Sequence, residues 1–365
     1  MKKFLKQGWQ RLLLSVLILG LAGCTNPLDL LSNRFSPSDE IGLSGKITVY
    51  TPMSDEQTTA YLNLFQKAYP DIGVNLVTIS TGDILARLLA ERADPQADVV
   101  WGLSATSMTL LQWQDALSAY KPEGVERIYV QFRDAETIPY WVGFGAWMSA
   151  FCVNMPLLEQ LGLPKPESWA DIFDPIYEGQ IATPSPTTSS TGYMIVEAIF
   201  EHFGEVKGWE NLDKLDKNVV EYTINNVKPC EMAANGEVAI GISDEMTPIK
   251  LAAQGKPVQA IFPSEGTGWD IAANGLVRRD EEKEIAKIFL DWAISDEAIA
   301  AYGQTRSLLA MPLAGYLPPP GFSKEPLTLI FDKNFPWASA NFEQILTEWT
   351  RRYGAKVEGP RVMTD

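Results

Sequence analysis

Histidine is almost absent from this 365-residue sequence, which contains only His202. A histidine-based zinc site and a Ser–His–Asp triad both need imidazole groups, so both are nearly excluded. His202 falls inside a predicted helix, where a packing or solvent role is expected. The sequence also lacks a Walker loop and a GxGxxG fingerprint. No metal, no cofactor and no catalytic residue is therefore expected.

Basic residues are in the minority, since 30 Lys and Arg face 46 Asp and Glu for a formal net charge of −16. Nucleic-acid binding needs a basic face and is not expected. A small anionic ligand remains compatible with this charge. At physiological salt the Debye length is about 8 Å, so surface acids are screened from a cleft lined by backbone N–H groups.

Long apolar runs are missing except near the start, where a basic stretch precedes an apolar run at residues 12–21. The run has about ten residues, too short to cross a hydrocarbon layer of roughly 30 Å, and so predicts a secretory signal at 1–23. Leu21-Ala22-Gly23-Cys24 matches the bacterial lipobox, so Cys24 is expected to carry a lipid that holds the periplasmic protein at a membrane. Residues 24–44 are predicted to form a tether. An ordinary signal peptide and a retained signal-anchor are the alternatives.

Only two cysteines lie beyond Cys24, namely Cys152 and Cys230. An exported protein meets an oxidising compartment, where a disulfide between them is plausible. Two separate buried thiols are an equally good interpretation at this point, because pairing needs Cα atoms about 6 Å apart.

Short apolar strands alternate with helices along the rest of the chain, which predicts an α/β fold. About 340 residues with nearly half apolar content are enough for two hydrophobic cores, so two domains are expected. Predicted strands lie at 46–50, 73–78, 98–101, 150–154, 180–183, 238–242 and 270–277. Predicted helices lie at 54–69, 83–93, 106–113, 193–203, 247–254, 282–294 and 338–353, with another capped by Ser168.

One pattern occurs four times: a strand ends, small polar residues follow, and a helix starts. The four sites are Ser80-Thr81-Gly82, Gly102-Leu103-Ser104, Ser189-Ser190-Thr191-Gly192 and Ser243-Asp244. Helix starts expose unpaired N–H groups and partial positive charge, so they can bind an anion without Lys or Arg. Ser and Thr are also ordinary N-caps, but four such starts at the carboxyl ends of strands favour a cleft site.

Tryptophans are a weaker candidate for the same cleft. Trp141, Trp147 and Trp269 fall near the presumed crossings between the two domains and could line it. Core packing is the better interpretation for each of them alone.

Several longer stretches carry a family resemblance. They are Ser80-Thr81-Gly82 and residues 86–91, 94–103, 146–154, 190–192, 228–230, 241–243, 265–270 and 289–296. On these stretches, from about Ile47 to Tyr353, the chain resembles the substrate-binding proteins of 2-aminoethylphosphonate ABC transporters, a group related to ferric-iron and hexose-phosphate binding proteins.

The resemblance implies a type II periplasmic-binding fold, with two doubly wound lobes joined by crossing strands around a ligand cleft. It implies lobe I at 45–145 plus 268–315 and lobe II at 146–267 plus 316–365. Ser189, Ser190, Thr191 and Gly192 would cradle a phosphonate, with Ser80, Thr81 and Ser104 from the other lobe. It also implies a Cys152–Cys230 disulfide, a monomer, and permease and ATPase partners rather than an enzymatic role.

Two positions depart from the family. Its members usually carry an acidic residue near Met53-Ser54 and Arg-Asp at Thr78-Ile79. A ligand ammonium group needs a carboxylate or an aromatic face. Asp55, Asp244 or Glu245 could supply the carboxylate.

Two alternatives remain. Ferric-iron binding is the first, although the adjacent tyrosines of ferric binders are missing at residues 243–246. A periplasmic phosphate-ester or phosphonate hydrolase is the second, although the sequence offers no convincing metal ligands or activated nucleophile.

Overall fold

The computed structural model describes residues 44–359. The predicted signal peptide, the lipidation site Cys24 and nearly all of the predicted tether lie outside these residues. Among the residues described, no helix is both long and apolar enough to cross a bilayer.

Strands and helices alternate through most of this region. The strands are β1 (Gly45–Thr51), β2 (Ile72–Thr78), β3 (Val99–Ser104), β4 (Leu117–Ser118), β5 (Val142–Asn154), β6 (Ile181–Pro184), β7 (Val219–Thr223), β8 (Ile240–Asp244), β9 (Val258–Ile261), β10 (Trp269–Val277) and β11 (Leu308–Leu309). The helices are α1 (Asp55–Ala68), α2 (Thr81–Ala90), α3 (Ala105–Trp113), α4 (Met155–Leu161), α5 (Ser190–Asn218), α6 (Lys228–Asn235), α7 (Met246–Ala253), α8 (Glu284–Trp292), α9 (Asp296–Tyr302), α10 (Phe335–Ala340) and α11 (Phe342–Tyr353).

The long strand β5 connects two halves of one sheet, whose order is β2-β1-β3-β10-β5-β8-β6-β7. The first part of β5 pairs antiparallel with β10, and its last part pairs with β8 and β9. We call the half containing β1–β3 and β10 the first lobe and the half containing β6–β8 the second lobe. The predicted α/β class and two-lobed arrangement are confirmed.

Each lobe has its own aromatic core. Trp101 and Phe289 pack edge-on in the first lobe, with ring centroids 5.3 Å apart. Phe151 and Trp169 do the same in the second, 5.2 Å apart. Two cores in one unit agree with the two domains expected from chain length. The residue boundaries predicted for the lobes stay a prediction.

Several element boundaries differ from the sequence-based expectation. The helix predicted after Ser168 is wrong, because only 3-10 turns form at Asp171–Phe173 and Pro175–Tyr177. Proline lacks an N–H and cannot continue a helix from within. The predicted 193–203 helix begins earlier and extends to residue 218, with a break at Gly204, whose φ is 74°. The predicted C-terminal helix is split into α10 and α11.

The capping pattern predicted at the start of α1 is present. The Ser54 side chain accepts from the Gln57 N–H, and the Gln57 side chain accepts from the Ser54 N–H. Such reciprocal bonds satisfy two donors that a helix start leaves unpaired.

Cys152 on β5 and Cys230 on α6 form a disulfide, with Cα atoms 5.3 Å apart. It ties the crossing strand to a helix of the second lobe. His202 lies on α5, where its Nε2 is 2.9 Å from the Gly266 carbonyl oxygen and its ring packs against Phe331. These contacts fit the packing role expected for it.

Candidate functional site

A cavity of about 180 Å³ lies between the two lobes. Eight residues from the helix-start patterns and the tryptophan candidates line it: Ser80, Thr81, Gly102, Trp147, Ser189, Ser190, Thr191 and Asp244. The cavity is also lined by residues outside the four helix-start patterns, among them Met53, Gln57, Asn225, Asn226, Glu245 and Arg306.

The start of α5 presents unpaired donors to this cavity. Ser189 is its N-cap, and its side chain accepts from the Gly192 N–H. Among the described residues, the N–H groups of Ser190 and Thr191 have no acceptor. With the three hydroxyl groups of Ser189–Thr191 beside them, they form a donor-rich surface at the positive end of a helix.

The start of α2 contributes the same chemistry from the first lobe. Ser80 caps this helix by accepting from the Asp83 N–H at 3.1 Å, and its hydroxyl donates to the Asp83 carboxylate at 2.7 Å. The N–H groups of Thr81 and Gly82 have no acceptor in the part of the chain that the structure describes. Thus each lobe brings one helix start with two free N–H groups.

The two lobes approach closely beside the cavity. A Cβ atom built on Gly82 would lie 2.5 Å from the carbonyl oxygen of Thr187, which precedes α5. Glycine is therefore required at position 82 in this arrangement of the lobes, because any larger residue forces α2 away from the second lobe. Gly82 acts here through its size and does not line the main cavity.

The third predicted helix start, at Ser104, is already occupied by a carboxylate of the protein. Asp270 on β10 accepts from the Ala105 N–H at 3.1 Å and from the Thr106 hydroxyl at 2.7 Å. Ser104 itself is buried and bonds to Ser107. Ser104 lines a much smaller adjacent cavity rather than the main one. The expectation that it faces the ligand cleft is not met.

Asp270 also belongs to a buried ionic cluster that joins the lobes. Lys333 donates to the Asp270 carboxylate at 2.9 Å, to Glu197 on α5 at 2.8 Å and to the Trp269 carbonyl oxygen at 3.1 Å. Burial raises the pKa of Glu197 to about 7, although Lys333 lowers it. The cluster therefore links α5 of the second lobe to α3 of the first.

The fourth predicted start is also occupied from within the chain. Asp244 accepts from the N–H and hydroxyl groups of Thr247 in the first turn of α7, and from the Asn226 side chain. Ser243 is fully buried in β8, and its hydroxyl donates to the Asn226 carbonyl oxygen. Asp244 thus reaches the cavity as a carboxylate, whereas Ser243 does not line it.

Three further candidates take different positions. Trp147 on β5 lines the cavity and is only partly buried. Trp269 is buried away from it, donates to the Phe331 carbonyl oxygen at 2.8 Å and packs against Phe335. Gly192 lets α5 pack on the preceding loop, since a Cβ there would lie 2.5 Å from the Ser185 carbonyl oxygen.

Arg306 is the charged cavity residue that the sequence did not single out. It follows α9, is 6% exposed, and its Nε atom is buried without a hydrogen-bond partner. Its guanidinium group lies 4.9 Å from the centroid of the Phe144 ring. The only local signal was a short polar stretch, Gln304–Ser307, between apolar segments. Nothing in that stretch indicates that folding brings it to the cavity.

Glu245, which the sequence suggested as a carboxylate for a ligand amine, is 1% exposed and lines the cavity. Both of its oxygens accept from the Ser307 hydroxyl, at 3.2 and 3.0 Å. Burial raises its pKa to about 8, Asp244 adds to the rise, and Ser307 and Arg306 oppose it. Asp55, the other suggested carboxylate, accepts from Thr78 and does not line the cavity.

Residues 94–321 match the family model described as bacterial extracellular solute-binding protein. A Sinorhizobium fredii protein named "Probable ABC transporter periplasmic-binding protein y4fP" is 29% identical over 71% of this chain and 72% of its own. A Salmonella typhimurium protein named "Putative 2-aminoethylphosphonate-binding periplasmic protein" is 25% identical over 69% and 74%.

Among solved structures, the periplasmic binding protein AfuA from Actinobacillus pleuropneumoniae, with fructose-6-phosphate bound, superposes with a TM-score of 0.78. It is 24% identical over 86% of this chain and 99% of its own. At this identity the similarity concerns the fold alone, and it confirms the predicted type II periplasmic-binding fold.

Proposed function

Because the chain belongs to the bacterial extracellular solute-binding proteins, we propose that its interlobe cavity captures a small anion with a phosphonate or phosphate group for an ABC importer. The observation that carries the proposal is the pair of helix starts that reach this region, α2 from one lobe and α5 from the other. Their four N–H groups have no acceptor among the described residues.

The free N–H groups of the cavity-lining residues Thr81, Ser190 and Thr191, together with several hydroxyl groups, suit a tetrahedral oxyanion. Such an ion has three oxygens that each accept more than one hydrogen bond, and charge-assisted bonds to backbone N–H groups are among the stronger ones. Helix starts bind phosphate in many folds for the same reason. Because the donors come from both lobes, a bound anion also holds the lobes together.

For the rest of the ligand we propose an organophosphonate such as 2-aminoethylphosphonate, or a phosphate ester. The Salmonella relative is named for the first of these. The cavity offers Asp244 near its other polar residues, and its carboxylate can accept from an ammonium or hydroxyl group of the ligand.

The cellular setting follows from the sequence and the family. We propose that residues 1–23 direct export, that Cys24 carries a lipid, and that the monomeric protein delivers its ligand to a permease and ATPase. Its relatives are binding proteins of transporters rather than enzymes.

A ligand panel with a matched pair of variants tests the binding role. Phosphonates, phosphate esters and inorganic phosphate are added to the wild type, and a ligand at 100 times its Kd is expected to add about 2.7 kcal/mol of stability. Ser190→Pro removes one N–H and one hydroxyl group at the first helical position, where proline is tolerated, whereas Ser190→Ala removes the hydroxyl group only.

We expect Ser190→Pro to weaken binding by about tenfold or more, since a bond to a charged group is worth about 1.5–3 kcal/mol. Ser190→Ala is expected to lose less. Stability that responds to no phosphonate, phosphate ester or inorganic phosphate contradicts the proposal.

The two alternatives have less support in the cavity. Its lining includes no tyrosine, and no group of three or more His, Cys, Asp or Glu side chains that could hold a metal occurs within residues 44–359. A visible tyrosinate-to-iron band on adding chelated ferric iron favours the iron alternative. Product release from phosphate esters favours the hydrolase.

A further inference from the structure

We propose that Arg306 determines the ligand specificity of the cavity: its guanidinium group binds an anionic group of the ligand, whose charge makes Glu245 take up a proton. The inference rests on the proposed function, because it concerns the same cavity and the same class of ligand.

The fold holds Arg306 at the cavity in a defined position. The preceding Thr305 shares a 2.9 Å hydrogen bond with the Tyr61 hydroxyl group, and the Arg306 carbonyl oxygen accepts from Tyr316. The side chain crosses β5 where Gly145 leaves room, since a Cβ there would lie 2.9 Å from the Arg306 Cδ. Because these contacts already hold the side chain in place, it can bind a ligand with little loss of conformational entropy.

The buried Nε of the guanidinium group has no hydrogen-bond partner among the residues that the structure describes, and the group lies against the Phe144 ring. Burial lowers the pKa of Arg306, but arginine stays charged in proteins. Buried cations are normally paired, because an unpaired one has lost its hydration without replacement. An unpaired arginine at the wall of a cavity therefore indicates that the missing partner is the ligand.

Glu245 is a candidate for a competing partner, since its charge acts on Arg306. The groups that interact with it are Asp244 from the same loop, Arg306 and Ser307 from the segment after α9, and Tyr316, whose pKa its charge raises. Its backbone N–H donates to the Met148 carbonyl oxygen on β5. With a pKa of about 8, Glu245 is largely protonated at neutral pH, which leaves Arg306 without a full counter-charge.

A bound anion adds negative charge beside Glu245 and so favours its protonated form. Binding near pH 8 therefore takes up a proton, and by linkage the affinity falls as the pH rises through 8. Above that pH the ionised Glu245 competes for Arg306 and repels the ligand. A phosphate monoester suits the measurement, because its second pKa is about 6 and its own charge is constant above pH 7.5.

Isothermal titration calorimetry at pH 8 in two buffers of different ionisation enthalpy measures affinity and proton uptake together. A phosphate monoester, 2-aminoethylphosphonate and inorganic phosphate are titrated into the wild type, Arg306→Gln, Arg306→Lys and Glu245→Gln. Arg351→Gln is the matched control, because that arginine is exposed on α11 and, within residues 44–359, its ion pair is with Glu348. The pH series is repeated for the wild type and Glu245→Gln.

We expect Arg306→Gln to lose about tenfold or more in affinity, Arg306→Lys to lose less, and the control to lose nothing. The wild type takes up a fraction of a proton, and Glu245→Gln takes up none and binds equally well at pH 7.5 and 9.

The outcomes separate the two proposals. A wild type that binds no member of the panel overturns the proposed function and this inference with it. A wild type that binds, with Arg306→Gln within twofold of it, overturns the inference alone. If Arg306→Gln does not fold, the affinity of Arg306→Lys and the proton uptake of the wild type test the inference instead. Binding by the wild type without proton uptake overturns the role of Glu245.

Discussion

Two buried cations at the interface of the lobes have opposite surroundings. The Lys333 side chain is 1% exposed and bonds to the carboxylates of Glu197 and Asp270. Arg306 is buried to a similar degree and bonds to none. Their pKa values differ accordingly. Burial lowers the pKa of each side chain, but the two carboxylates raise the pKa of Lys333 above its ordinary value, whereas the pKa of Arg306 stays lowered.

The difference separates a charge whose partners belong to the fold from one that we propose to pair with the ligand. Lys333 joins α5 to β10 and, through Asp270, to α3, so its partners are fixed by the fold. Arg306 is buried with its Nε unbonded among the described residues, and its burial costs stability. Proteins tolerate such a cost mainly where binding requires it.

The largest effect is expected from replacing Lys333, the cation that is paired with two carboxylates. Lys333→Met leaves Glu197 and Asp270 buried without their cation, and removing one partner of a buried ion pair costs about 3–5 kcal/mol. Urea denaturation measures the free energy of unfolding. Lys217→Met, at an exposed position of α5, is the control and is expected to change it by about 0.5 kcal/mol or less. A small loss for Lys333→Met contradicts the structural role.

Replacing Arg306 by methionine is expected to change the free energy of unfolding much less. Arg306→Met keeps a side chain of similar length but removes a buried charge that has no hydrogen-bonded partner. We expect the free energy of unfolding without ligand to fall by no more than about 1 kcal/mol, or to rise. A loss as large as that of Lys333→Met would show that Arg306 supports the fold, and the contrast between the two cations would disappear.

The smallest effect is expected where the same kind of pair is exposed. Lys250 on α7 pairs with Glu56 on α1, so this ion pair also joins the lobes. Both side chains reach solvent, and exposed pairs contribute about 0–1 kcal/mol. Lys250→Gln should therefore change the free energy of unfolding by less than about 1 kcal/mol, and the change should shrink in 0.5 M salt. A change that persists in high salt contradicts this assignment.

The sequence predicted the fold well where signals were local. The capping residues Ser54 and Gln57 and the alternating strands appear close to their expected positions. The helix expected after Ser168 does not form, and Pro175 stands in the segment that holds 3-10 turns instead.

The site was harder to predict because its decisive contacts join distant parts of the chain. All four helix starts look alike in sequence, yet two are occupied by the chain's own carboxylates. Asp270 lies 165 residues from Ala105, so no local pattern shows that it occupies the start of α3. Arg306 reaches the cavity from the segment after α9 for the same reason, and its sequence neighbours do not reveal it.

The carboxylate of Asp270 at the start of α3 shows which shape of anion a single helix start can bind. It is planar and has two oxygens, and the Ala105, Ile271, Thr106 and Lys333 donors satisfy both. The starts of α2 and α5 belong to opposite lobes, so their donors are not confined to one plane. A flat ion such as acetate therefore leaves some of them unsatisfied, whereas an ion with oxygens in three directions does not. Under the proposed function, the cavity is therefore expected to prefer a tetrahedral oxyanion to a planar carboxylate.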